Sequence, residues 1–275
     1  MVRDVKVYII GLGQAGCNIA EKFKQYPPYQ NKVHQLDSDQ IGLLSNHERY
    51  EEQAVPPSLQ IEDNSIVYVI TSCGKISGCL LKLLETLKHC KLNVVYIKPD
   101  LSFVSPEKKN FHPLILGVLQ EYARSGLLEN LFLFDNNVIK QSIGQFQITE
   151  YFNLLNFHIA NIIHLYNVYS NVKPIFSNSY QLPENTDRIS TFSVINWQTK
   201  QEVVCYKLQN VTKRHYFFNF NKEQTGDTNL LESVESLLTN LKESDIVASM
   251  FDIFEVPNYS APYAMAKVST SIIQS

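Results

Sequence analysis

Two hydrophobic rhythms alternate through the N-terminal half of the chain. Val5-Lys6-Val7-Tyr8-Ile9-Ile10 is a continuous β-branched run that leads straight into Gly11-Leu12-Gly13-Gln14-Ala15-Gly16-Cys17-Asn18. That order predicts a buried strand, a glycine turn and a helix. The unit recurs: an apolar run from Ser65 to Thr71 meets Ser72-Cys73-Gly74-Lys75-Ile76-Ser77-Gly78, and a helical stretch follows from Cys79 to Leu87. Strands predicted at Asn93 to Ile97 and Asn130 to Phe134 flank a helix from Pro113 to Arg124. Alternation of this kind predicts an α/β fold on a mostly parallel, Rossmann-like sheet with helices on both faces.

The rhythm changes after residue 146. From Gln147 to Tyr169 the apolar positions Ile148, Phe152, Leu155, Ile159, Ile162, Ile163 and Tyr166 recur at helical spacing, predicting one long central helix. Beyond Pro174 the pattern becomes short alternating runs at Ile189 to Trp197, Glu202 to Lys207, Arg214 to Phe220 and Ala264 to Ile273, with a helix at Leu230 to Leu241. These predict a smaller, separate α+β sheet. The expected organisation is an α/β domain over 1–146, a connecting helix over 147–170 and a β-rich C-terminal domain over 171–275. A chain of 275 residues is long enough for such a division.

Composition narrows the function. With 24 basic against 27 acidic residues, well interspersed, no basic stripe exists to neutralise a row of phosphates, and direct nucleic-acid binding is not expected. The five cysteines are scattered and odd in number, which points to a reducing compartment, and neither they nor the seven histidines show metal-ligand spacing. No apolar run approaches the ~20 residues of a membrane span. The N-terminus does not read as a signal peptide, so a cytoplasmic protein without membrane association is expected.

Candidate chemistry begins at the first turn. Glycines let backbone approach a phosphate closely, and the free amides and dipole of the following helix favour negative charge. Gly11-x-Gly13-x-x-Gly16 is also the dinucleotide fingerprint, and Asp37 follows about 20 residues on, where a ribose-binding acid belongs. An NAD-binding protein, or a tight turn with no ligand, both remain open on these residues.

Longer stretches resemble one family. Gly13-Gln14-Ala15-Gly16-Cys17-Asn18-Ile19 resembles the first phosphate loop of tubulins, ending in the Cys-Asn found in FtsZ. Asp37-Ser38-Asp39-Gln40-Ile41-Gly42-Leu43-Leu44 is similar to the Asn-Thr-Asp-Ala-Gln-Ala-Leu-Leu segment of FtsZ. Phe152 and Asn156, at i and i+4 on one helix face, resemble the aromatic and amide pair that stacks on and hydrogen-bonds guanine in this superfamily. Phe134-Asp135-Asn136-Asn137 resembles its Ile-Pro-Asn-Asp turn. The resemblance to tubulin/FtsZ proteins spans roughly residues 5–170. It implies a pocket for GTP or GDP, with Mg2+ accompanying GTP. Phosphate contacts would come from Gly11, Gly13, Gln14, Ala15, Gly16, Asn18, Gly74, Lys75, Ser77 and Gly78. Asp37, Asn136, Phe152 and Asn156 would meet the ribose and base.

Two departures qualify the resemblance. The family's Gly-Gly-Gly-Thr-Gly-Thr-Gly signature is replaced by Ser72-Cys73-Gly74-Lys75-Ile76-Ser77-Gly78, where Ile76 adds bulk and restricts φ while Lys75 offers an ammonium in exchange. The acidic Asn-x-Asp-x-x-Asp motif that follows the central helix in FtsZ is missing; Glu184 and Asp187 are spaced differently, and Asp187 is the one catalytic stand-in. Phosphoryl transfer rests on positioning and charge stabilisation, so such losses leave nucleotide binding compatible with weak or absent hydrolysis. Three functions follow: a guanine-nucleotide-binding protein that self-associates head to tail into filaments, a non-polymerising interaction module of the same fold whose pocket need hold no nucleotide, or an NAD-dependent oxidoreductase.

Overall fold

Side chains alternate across the first strands and give one sheet two apolar faces. The structure is a computed structural model describing residues 6–37, 59–74, 76, 79–102, 104–143, 147–178, 187–241, 248–256 and 263–274. Five parallel strands, β1 (Val7–Leu12), β2 (Val33–Leu36), β3 (Ile66–Ser72), β4 (Lys91–Lys98) and β5 (Asn130–Asp135), lie in the order β2-β1-β3-β4-β5. Tyr8, Ile10, Val67, Val69, Val94 and Leu131 point to one face, where they pack with helices α2 (Leu80–Thr86) and α3 (Pro106–Ser125). Ile9, Tyr68, Ile70, Val95 and Phe132 point to the other, against α1 (Gly13–Lys22) and the central helix α5 (Tyr151–Asn171). Leu155, Ile159, Ile162 and Ile163 hold α5 there, each contributing about 1.5–3 kcal/mol by leaving water.

Boundaries depart from expectation where proline misleads. The spacing predicts α3 from Pro113, yet the helix begins two turns earlier, where the Ser105 hydroxyl accepts from the Lys108 amide and Pro106 occupies the first turn. Pro113 lies inside the helix, and Gly126 at φ 88° ends it. A short helix α4 (Asn136–Ile143), unannounced by the pattern, leaves the end of β5.

The remaining strands are β6 (Phe176–Ser177), β7 (Ile189–Ile195), β8 (Glu202–Val204), β9 (Lys213–Asn219), β10 (Ala248–Phe254) and β11 (Tyr263–Thr270), with α6 (Lys222–Thr225) and α7 (Leu230–Asn240). The sequence predicts a separate second sheet here. Instead these strands extend the first through a short parallel seam, Leu131 opposite Ile189 and Phe132 opposite Ser190. The order continues β5-β7-β11-β9-β10-β6, with β8 paired to β7. β11 is antiparallel to both its neighbours and lies between two strands that precede it in the chain. Val234 and Leu237 of α7 close this part over Phe218, Phe251 and Ala266.

Candidate functional site

The chain leaves β1 onto one face of the sheet and β3 onto the other, because α1 and α2 pack on opposite sides. Neighbouring strands whose connections part in this way open a crevice at their carboxyl ends, the usual binding position in open α/β sheets. Both glycine loops lie there. Gly13 opens α1 with φ 72°, a conformation that excludes most side chains. A Cβ on Gly16 would stand 2.1 Å from the carbonyl oxygen of Ile70, and one on Gly11 would stand 2.5 Å from the Gly16 carbonyl oxygen. These two glycines therefore seat α1 directly on β1 and β3. The Cys17 thiol donates to the Gly11 carbonyl at 3.4 Å, and burial first, then the charge of Asp37, pushes that thiol up to about 11. It is a structural thiol, not a nucleophile. Gln14 and Asn18 are exposed along the start of α1, Ala15 is half-buried, and Asp37 sits half-buried just beyond β2.

The first turns of α5 supply the other wall. Phe152 is 66% exposed. It is not a core residue, and its ring is available as a stacking surface. Asn156, one turn on, is half-buried, and its amide makes no hydrogen bond among the described residues. Lys22, one helical turn beyond Asn18 on α1, hydrogen-bonds Asn153 beside Phe152, so the exposed face of α1 is tied to this end of α5. Below them Tyr26 stacks on His164 at 3.8 Å between ring centres, while the Tyr29 hydroxyl accepts from Asn167 at 2.7 Å. Burial pushes His164 down to about 4, so the ring is neutral within this contact.

At the end of β5, Asp135 accepts from the Asn137 amide at 2.9 Å and pairs with Lys98 at 3.2 Å, which fixes the turn carrying Asn136. The Lys98 ammonium also lies 5.6 Å from the centre of the Tyr206 ring. Beside it the Tyr96 hydroxyl meets His112 Nδ1 at 2.7 Å. Burial, then Lys98, lowers His112, and Asp135 partly opposes them. No motif marks Lys98, Tyr96 or His112 as site residues, although Tyr96 lies in a predicted strand. Their one legible trait is position at, or packing near, strand ends that share an edge with the glycine loops.

The second loop differs from the first. Ile76 is buried in the apolar cluster with Leu80 and Leu83, and its Cγ2 lies 2.5 Å from where a Cβ of Gly13 would be. The space over Gly13 therefore holds a hydrocarbon branch. Among the described residues nothing lies within 4 Å of a Cβ on Gly74, so no close backbone approach among them requires that glycine. Lys75, Ser77 and Gly78 lie outside the described residues, as do Asp39, Leu43, Leu44 and Glu184. Asp187 is not brought to these loops. It precedes β7, whose start pairs with the start of β5 at the opposite edge of the sheet, and there its charge acts on Lys213.

No protein-family model matches the chain, and no curated protein matches it in sequence. Solved structures do match across nearly its whole length. An FtsZ dimer from M. jannaschii is 11% identical, covering 97% of this chain and 88% of its own, with a TM-score of 0.69. CetZ2 from Haloferax volcanii, in a GTPgS-bound protofilament, is 13% identical over 96% and 92%, with a TM-score of 0.64. TubZ of Bacillus thuringiensis serovar israelensis, in a GTPyS-form protofilament, is 14% identical over 98% and 87%, with a TM-score of 0.61. The geometry defines a parallel α/β sheet covered on both faces and backed by a long central helix. The solved structures narrow this class: the chain has the fold of the tubulin/FtsZ superfamily. A guanine nucleotide, the ligand this fold implies, is matched by an exposed ring, a free amide and the first glycine loop, whereas the filled space over Gly13 does not suit a second phosphate cradle.

Proposed function

We propose that the protein binds a guanine nucleotide at the carboxyl edge of its parallel sheet and assembles head to tail with further copies of itself, while hydrolysing the nucleotide weakly or not at all. The observation that carries binding is the exposed Phe152 ring with the unengaged Asn156 amide one turn away, beside the first glycine loop. An aromatic face stacks on a base, and an amide offers both a donor and an acceptor to its edge. Gly11, Gly13, Gln14, Ala15, Gly16 and Asn18 would approach the phosphates, with Asp37 and Asn136 toward the ribose and base. Gly74, Lys75, Ser77 and Gly78, the second-loop phosphate contacts that the resemblance implies, would reach the nucleotide only where the Ile76 branch leaves room, and Mg2+ would accompany GTP.

Weak hydrolysis follows from what surrounds the phosphates. Ile76 fills the space over Gly13, and Asp187 lies at the other edge, where it could reach a nucleotide only across an interface between copies. Assembly is supported by relatives solved as protofilaments, since a heterologous contact that does not close on itself produces a filament. A division into 1–146, 147–170 and 171–275 and a cytoplasmic location belong to the same reading. Among the described residues no helix is long and apolar enough to cross a membrane.

The test is isothermal titration of nucleotide-free protein with GTP, GDP and NAD, beside the Phe152→Ala/Asn156→Ala double variant. Saturable guanine-nucleotide binding that the double variant loses supports the reading, and light scattering with GTP then tests assembly. Failure of both guanine nucleotides to bind rejects it; selective NAD binding would favour a dinucleotide enzyme, and silence a non-polymerising interaction module.

A further inference from the structure

The edge of the sheet opposite the glycine loops carries a cavity of about 540 Å³ between the starts of β3, β4 and β5 and the last turns of α5. Its size falls in the ordinary range for small-molecule sites. Tyr68 lines it, is 3% exposed, and its hydroxyl makes no hydrogen bond among the described residues. The hydroxyl is not one of the enclosed unpaired polar atoms of the fold; it opens onto the cavity, where it can donate to whatever enters. Burial, then the nearby Tyr166 and Tyr29, hold this phenol far above its usual titration range, so it stays a donor at neutral pH.

The other polar groups set the charge of what would fit. Asn93 Oδ1 is taken by the Asn130 amide at 2.8 Å, and Asn130 Oδ1 by the Lys267 ammonium, so these carbonyl acceptors are spent within the wall. Lys91 and Lys173 line the cavity with exposed side chains, and Glu129 is the single acid among the lining residues. Lys267 stands directly behind, 5.4 Å from the centre of the Tyr166 ring. A wall offering a hydroxyl donor and two ammonium groups against one carboxylate, with the engaged Lys267 behind it, favours an anion.

We propose that this cavity is a binding site for a small anion whose carboxylate or phosphate oxygens accept from the Tyr68 hydroxyl and pair with Lys91 and Lys173. The site is separate from the glycine-loop crevice and does not depend on nucleotide binding there.

Isothermal titration of the full chain with citrate and, separately, phenyl phosphate tests it. Saturable binding of at least one probe at submillimolar Kd is expected, and the stronger of the two tells which oxygen chemistry the site prefers. Tyr68→Phe removes one oxygen and leaves the packed ring, and it should weaken binding about tenfold or more, the effect of losing a hydrogen bond to a charged group. Lys173→Gln should weaken binding and flatten its dependence on salt. Phe152→Ala, at the other edge, should leave it unchanged. Absence of saturation with both probes at millimolar concentration, equal affinity of wild type and Tyr68→Phe, or loss of binding in Phe152→Ala would each overturn the proposal.

Discussion

The two glycine loops stand side by side at one edge of one sheet, yet they are built on opposite terms. In the first loop, backbone from α1, β1 and β3 converges so closely that Gly11 and Gly16 have no room for a methyl group. In the second, no described residue lies within 4 Å of a Cβ on Gly74, and Ile76 turns inward to pack with Leu80 and Leu83. A glycine demanded by packing persists whether or not a ligand is used, so its presence says little about binding. A glycine demanded only by a ligand is free to be replaced once that demand weakens. The contrast places any loss of phosphate handling in the second loop, because packing keeps the glycines of the first in place with or without a ligand.

Gly16→Ala should break this contrast most severely. The new methyl meets the Ile70 carbonyl, and urea unfolding should show a loss above about 4 kcal/mol, or no folded protein. Ile76→Ala should cost about 2–3 kcal/mol of stability by emptying a buried position, while clearing the space over Gly13. If the second loop is the obstruction, titration should then show GTP gaining affinity relative to guanosine; an unchanged ratio would mean Ile76 is only a core residue.

Acidification probes how the chain beyond α1 is anchored to α5. The segment after α1 is held to α5 through His164, whose folded value near 4 lies below the ordinary 6.5. Between those values the unfolded chain binds the extra proton, so stability falls as pH drops. The loss from pH 7 to pH 5 should be about 2 kcal/mol for this group, measured by denaturant melts, and His164→Gln should flatten the slope. Phe152→Ala should change stability by no more than about 0.5 kcal/mol because the ring is exposed, while weakening guanine-nucleotide binding by about 1–3 kcal/mol. Gly74→Ala should be smallest of all, between neutral and about 1 kcal/mol stabilising through the unfolded chain.

The parallel core was legible because each strand and helix there carries its own local pattern. Ile66–Ser72 and Asn130–Asp135 fall within a residue of the predicted runs. Pro113 concealed the start of α3, since proline reads most naturally as a first-turn residue and the true cap at Ser105 has no apolar run behind it. β10 went unread although Met250, Phe251, Ile253 and Phe254 are buried in it. The seam between β5 and β7 had no signal, because register between distant strands is set by packing and not by local spacing. At the candidate site, the spacing of Phe152 and Asn156 was visible, as was the bulk of Ile76. Where that bulk points was not, and neither was the pairing of Lys98 with Asp135, which joins residues from two strands.

The position of β11 bears on how the chain is made. Tyr263–Thr270 lies between β7 and β9, hydrogen-bonded to both, although it follows every other strand in the sequence. During synthesis β1 to β5 can pair as each emerges, whereas β7 and β9 must wait with facing edges exposed until the final strand slots between them. Unpaired apolar edges of that kind attract one another between chains. Nascent or truncated forms that lack β11 would therefore depend on chaperones for solubility, and completion of the wedge is the step at which the C-terminal half becomes a folded body.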